Sequence, residues 1–350
     1  MSVGVGDLSS YQMEKLIFGV PKAELHVHFE GTLDPEHYLV LAARSNLTTR
    51  YADADAVRER QTHSKDLNTF IEVFAELLSV IRTELDFCEV AFAHLRRAKA
   101  QQICYTEMFF DPQMHTERGV PLATVMRGLL AAQKAAKSEL GVRVEYILCF
   151  NRDRSAASAL ATLEASRPWH GKIIGVGLDN PEERDFPKKF APVFARARSL
   201  GLRCTSHCDV NQPNTIAHHW GCLDELKVER IDHGINVLDD SALIAAVRER
   251  EIGLTVCPTL MQAEIPGRME FRAKAVKRML ELGLLVTINS DDPGLMRGLL
   301  VGDLMWRVHQ AVGLTRAEVL ALAENSFRSA WLPPNEKDAY LASVRDFAGK

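Results

Sequence analysis

Residues 24–30 read Glu24-Leu25-His26-Val27-His28-Phe29-Glu30, a short run that carries two histidines two positions apart. Side chains alternate across a strand, so imidazoles at i and i+2 point the same way and can reach one ion. Outward from this run, seven more short β-branched or aromatic stretches follow at 103–111, 142–150, 173–179, 203–209, 230–235, 253–258 and 285–291. Longer stretches of helical period lie between them, as at 122–140, 186–200, 241–250 and 271–282, each long enough for an outer helix. Alternating strands and helices make repeated βα units, and eight of them predict an α/β fold, a (β/α)8 TIM barrel.

The first connection is too long for a simple βα loop. It predicts a short helix at 36–43 and almost continuous helix over 66–102, a helical insertion of about 33–102 that overhangs the barrel mouth. Further helices are expected at about 299–350, and no repeat or flexible linker divides residues 1–350 into separate domains. Forty-two basic and 46 acidic side chains give a formal charge of −4 without a basic block, so nucleic acid is not an expected partner. Residues 1–19 carry no apolar core of signal-peptide length, and no run approaches a membrane span, so a cytoplasmic location is expected. Seven cysteines, an odd number mostly inside apolar runs, read as reduced core residues. The stretch at 87–98 could form a contact between copies, although a lid or a plain packing face explains it equally well.

Barrel enzymes carry their chemistry at the carboxyl ends of the strands. Here those ends hold His26 and His28, then His207, then Asp232 and His233, then Ser290, Asp291 and Asp292. Taken alone, His233 would read as an ordinary core histidine, but the H-x-H pair and the paired aspartates at matching strand ends argue for a metal site. Neutral imidazoles with a carboxylate suit zinc best, with iron, cobalt or manganese less favoured. Zinc lowers the pKa of bound water from about 16 toward 7. Asp291 can accept that proton, His233 can orient the hydroxide, and Asp292 can meet the substrate.

These residues resemble the adenosine/adenine deaminase family of the amidohydrolase superfamily, and most closely its adenine deaminase branch. The resemblance runs from Pro21 to about Pro293. It rests on Pro21-Lys22-Ala23-Glu24-Leu25-His26-Val27-His28-Phe29-Glu30-Gly31, Glu107-Met108-Phe109-Phe110-Asp111-Pro112-Gln113, Arg230-Ile231-Asp232-His233-Gly234 and Asn289-Ser290-Asp291-Asp292-Pro293. It implies one zinc per chain on His26, His28, His207 and Asp291, with His233 as catalytic histidine. It also implies that Asp292 contacts a ring nitrogen and that Glu30 lies near the substrate, a small nitrogen heterocycle.

One element departs. Where the family has His-Ala-Gly-Glu, this chain has His207-Cys208-Asp209-Val210, and valine cannot protonate a purine ring. That role is typically worth about 10² to 10⁴ in rate. Three accounts stay open: Asp209 replaces the missing acid, the substrate is another heterocycle needing no ring protonation, or the chain is a catalytically silent, metal-retaining binding protein. The pocket loops are rewritten as well, with Asp179-Asn180-Pro181-Glu182 after strand four, where Asn180 is taken as a substrate contact. After strand seven the chain reads Cys257-Pro258-Thr259-Leu260-Met261-Gln262, with Met261 read as packing. His28-Phe29-Glu30 matches half of a second zinc deaminase signature, but no P-C-x-x-C follows, and neither a dinucleotide fingerprint nor a Walker motif is present.

Overall fold

The structure is a computed structural model that describes residues 8–62, 67–259 and 267–349. Eight strands appear in chain order: β1 Lys22–His28, β2 Ile103–Phe110, β3 Arg143–Asn151, β4 Ile173–Asp179, β5 Arg203–Cys208, β6 Arg230–His233, β7 Gly253–Val256 and β8 Leu285–Ile288. Each pairs in parallel with the next. The sheet order is β1 to β8 without a crossover, and an isolated bridge from Val27 to Asp291 brings the last strand back to the first. This is the (β/α)8 barrel that the alternating pattern predicts.

The seam is built by a few bonds. His28 N donates to Asp291 O at 2.9 Å, Asp291 N donates to His26 O at 3.0 Å, and Leu25 N donates to the Asn289 side-chain oxygen at 2.8 Å. β8 ends at Ile288, three residues before the end of the run read as a strand, and Asp291, with a left-handed backbone of φ 62°, pairs with β1 only through the isolated bridge. Glu30 likewise lies past β1, opening a single 3₁₀ turn over Glu30–Thr32.

The almost continuous helix expected over 66–102 is two helices with one break between them. Helices Pro35–Arg44, Ala54–Thr62, Leu67–Leu78 and Glu84–Ala100 succeed one another. The break before Glu84 has a local cause. Thr83 accepts from Asp86 N, and the Asp86 carboxylate accepts in return from Thr83 N at 2.8 Å, a capping box that starts a new helix. Leu67–Leu78 turns Phe70, Ile71 and Phe74 toward the cavity at the barrel mouth. Helices Val301–Val312, Arg316–Arg328 and Pro334–Ala348 complete the chain. Between the last two, Trp331 stoppers the amino-terminal end of the barrel: its ring lies 4.4 Å from the Arg230 guanidinium, and its backbone N–H donates to the Glu107 carboxylate. Gly175 leaves room for that ring, since a β-carbon there would lie 2.4 Å from Trp331.

Outward-facing strand residues such as Val144, Leu148, Val176, Ile231 and Val286 pack on Phe190, Phe194, Val276 and Met279 of the surrounding helices. The alternate residues face the barrel interior and are free for chemistry. All seven cysteines are free thiols, five of them buried. Leu260, Met261 and Gln262 lie outside the described residues, as does the start of the segment read for a signal peptide.

Candidate metal centre and pocket

His26 and His28 share one face of β1, and His207 from β5 and Asp291 from the end of β8 meet them there, with one ligand atom of each within 4.8 Å of the others. His26 Nε2 is 3.2 Å and His28 Nε2 3.7 Å from Asp291 Oδ1, while His28 Nε2 and His207 Nε2 stand 3.1 Å apart. The far side of two rings is fixed by carbonyl oxygens: His26 Nδ1 faces Thr255 O at 3.2 Å and His207 Nδ1 faces Leu178 O at 3.1 Å. A carbonyl can only accept, so Nδ1 carries the proton and each Nε2 presents a lone pair to the centre. His26 Nε2 is buried and makes no hydrogen bond.

The electrostatics favour a cation at this point. Burial opposes charge on His26, but the Asp291 carboxylate outweighs it and raises the His26 pKa; burial alone would raise Asp291, yet His26 beside it holds the carboxylate low. Burial, joined by its histidine neighbours, takes His207 well below the usual histidine value. Three imidazole nitrogens converging on an ionised carboxylate are the donor set of a divalent metal, which would displace any proton from His26 on binding.

His233 leans over the cluster, its ring centroid 4.6 Å from that of His26. Its backbone is left-handed, φ 63°, a conformation non-glycine residues adopt rarely and at a cost of order 1 kcal/mol or more. Burial, and then His26, hold its pKa well below the usual value, so the ring is neutral at pH 7. His233 Nε2 is 3.5 Å from Asp209 Oδ1. Burial pushes the Asp209 carboxyl up to about 6, against the pull of Arg152, whose NH2 donates to Asp209 Oδ2 at 2.6 Å.

These groups floor a cavity of about 470 Å³ whose walls include His28, His207, Asp209, Val210, His233, Asp291 and Asp292. Asp292 is buried, Oδ1 has no hydrogen-bond partner, and burial together with Asp291 raises its pKa well above the carboxylate range. Gly31 exists to admit it: a β-carbon at residue 31 would fall 1.9 Å from Asp292 Oδ1. Glu30 stands behind this wall. Its Oε1 accepts from Asp111 N at 2.9 Å and pairs with His115 Nε2 at 2.8 Å, and its Oε2 is buried and unpartnered. Asn180 does line the cavity, but its side-chain amide donates to Asp153 and its carbonyl accepts from Arg152.

Three groups at the pocket escape motif reading. Asp111 and Asp179 end β2 and β4, line the cavity, and form a second buried cluster with His28. Burial, with Asp179 beside it, pushes Asp111 far up. Both occupy strand ends, so the rule that exposed the other residues applied equally to them. Arg152, directly after β3, gives no comparable signal, since an arginine in Asn151-Arg152-Asp153-Arg154 reads as surface charge.

The adenosine deaminase family model matches residues 21–347. The chain belongs to the adenosine deaminase family. It is 43% identical over 330 residues to an adenine deaminase of Streptomyces coelicolor, covering 94% of this chain and 96% of that one. An uncharacterised deaminase of Schizosaccharomyces pombe is 40% identical over 336 residues, 96% of this chain and 98% of that one. Among solved structures, an adenine deaminase from Arthrobacter aurescens superposes with a TM-score of 0.87 at 34% identity, covering 95% of this chain and all (100%) of the other. An amidohydrolase from Burkholderia ambifaria with bound zinc shares the fold, with a TM-score of 0.84 at 24% identity over 98% and 94% of the two chains. The motif resemblance to the adenine deaminase branch therefore holds, and this member of the adenosine deaminase family is a hydrolase, a deaminase acting on C–N bonds.

Proposed function

We propose that this deaminase is a zinc enzyme with one ion per chain on His26, His28, His207 and Asp291, and that it removes an amino group from a small, purine-like nitrogen heterocycle. The observation that carries the reading is the convergence of three imidazoles and a carboxylate beneath His233, on the floor of one cavity. Residues 1–350 act as one catalytic unit, with the insertion of about 33–102 over the mouth and the helices of about 299–350 around the far side. A cytoplasmic location fits the absence, among the described residues, of any helix long and apolar enough to cross a membrane.

When bound, zinc supplies a Lewis acid that brings the pKa of water from about 16 toward 7. Asp291 takes the proton of the attacking water. His233, neutral at working pH, orients that water toward the ring carbon and stabilises the charge that develops. Asp292 meets a ring nitrogen with its free Oδ1, and Glu30 backs that wall through Asp111. Asn180 contributes to substrate contact from the rim of β4.

Proton delivery to the ring is where this chain differs. Asp209 is the carboxyl best placed to stand in for the glutamic acid replaced by Val210, since it faces His233 and its pKa of about 6 lies close to neutrality. The 2.6 Å ion pair with Arg152 favours a second reading, in which Asp209 stays ionised and the substrate is a heterocycle that needs no ring protonation. Release of ammonia from adenine, adenosine and non-purine aminoheterocycles, and of methylamine from N-methylated analogues, tests both. Adenine turnover abolished in Asp209→Asn supports the substitute acid, and turnover restricted to non-purines supports the second reading. A zinc-loaded protein that binds ligand but releases amine from nothing in the panel refutes the proposal and leaves a binding protein.

A further inference from the structure

Asp209 is gripped at both ends by groups outside the metal cluster. Its backbone N–H donates to Glu182 Oε1 at 2.7 Å, and its Oδ2 accepts from Arg152 at 2.6 Å. Glu182 is itself fixed by His218, which also pairs with the carbonyl of Arg184 at 2.7 Å. The Arg152 guanidinium is fully buried, lies 4.7 Å from the Phe186 ring, and spends its other nitrogens on two strand ends. Nε donates to Asn180 O at 2.6 Å after β4, and NH1 donates to His207 O at 2.6 Å on β5. A buried cation is costly unless its donors are met, and here Nε, NH1 and NH2 all find acceptors at the carboxyl ends of the strands. Only a planar guanidinium can address three acceptors in this way; the ammonium of a lysine cannot.

We propose that Arg152 is a positioning residue: from the end of β3 it sets the rotamer of Asp209 toward His233. The proposal rests on reading Asp209 as a group that meets the substrate, and it holds whether Asp209 donates a proton or remains ionised. A plain structural strut would make the same bonds but would matter equally whatever side chain stood at residue 209.

The test compares Arg152→Gln, Arg152→Lys, Asp209→Asn and the Arg152→Gln/Asp209→Asn double variant. The measurements are kcat, KM, zinc content and crystal structures. We expect Arg152→Gln to lower kcat about 10²-fold with zinc content unchanged, the scale of a catalytic group displaced by about 1 Å. Arg152→Lys recovers part of that loss. In the Asp209→Asn background, Arg152→Gln costs less than about threefold, because the group it positions is already gone. In the crystal, the Asp209 carboxylate of Arg152→Gln turns away from His233. Equal losses in both backgrounds, or an unmoved Asp209 carboxylate, overturn the proposal. If Arg152→Gln does not fold, Arg152→Lys in the two backgrounds gives the same comparison. A wild type that releases no amine from any substrate refutes the functional reading, while the crystal comparison still decides whether Arg152 sets Asp209.

Discussion

Replacing Gly31 with alanine should disable the pocket while leaving every proposed metal ligand in place. The β-carbon added at residue 31 would lie 1.9 Å from Asp292 Oδ1 and 2.6 Å from both Cβ and Cγ of the same residue. An ordinary carbon–oxygen contact is about 3.3 Å, so the carboxylate must withdraw by about 1.4 Å. Rotation about χ1 does not suffice, because the Asp292 β-carbon is itself in the way. The backbones cannot part freely either, since Gly294 N donates to Gly31 O at 2.7 Å. Overpacking of this kind costs about 1–3 kcal/mol of stability, and a contact group misplaced by about 1 Å costs about 10²-fold in rate. The assay is kcat/KM on the best substrate of the panel, with thermal unfolding and zinc content alongside and Asp292→Asn as the reference variant. The reasoning fails if Gly31→Ala keeps kcat/KM within about twofold of wild type while Asp292→Asn loses it, for Asp292 would then not sit against Gly31.

Removal of zinc with a chelator should abolish turnover and lower the melting temperature, and zinc at about 1,000 times its Kd should restore about 4 kcal/mol of stability; calorimetry and metal analysis read both. Val210→Glu should raise adenine deamination by about 10² to 10⁴ if the absent acid is all that limits it, measured as ammonia release. Lys22 is buried and its pKa is lowered to about 7 by that burial. The unfolded chain therefore binds a proton between about pH 7 and the ordinary lysine value that the folded chain does not, so stability rises with pH across that window; Lys22→Met should remove the slope in denaturant titrations. Thr83→Ala should cost about 0.5–2 kcal/mol through loss of the capping box, and urea unfolding will show whether it does.

The barrel was legible because its strands are short, its helices long and their alternation regular. The metal cluster was legible because its ligands end strands, where Cβ direction follows from simple alternation, as at His26 and His28. Harder to read was anything set by the third dimension. Arg152 acquires its meaning only when the ends of β3, β4 and β5 are brought side by side, with Asn180 O, His207 O and Asp209 all around one guanidinium. Asp111 and Asp179 stood at readable positions, but their meeting with His28 depends on how closure of the barrel sets the ends of β1, β2 and β4 around one point. The left-handed backbone at Asp291, past the end of β8, is a feature that an apolar run does not announce. The break at Thr83 was different in kind, because Thr83-Glu84-Leu85-Asp86 spells a helix start in the sequence itself.

The seam of the barrel gives the proposed ion a second consequence. First and last strands are joined through His26, Val27, His28 and Asp291, so the bonds that close the ring and the ligands proposed for the ion belong to the same few residues. The barrel is a hoop whose clasp is its metal site. Ion binding and closure would then be coupled, and removal of the ion would loosen the seam as well as abolish the proposed activity. Amide exchange at Asp291 and His28, slow with the clasp fastened and fast after chelation, would report the opening of the hoop directly.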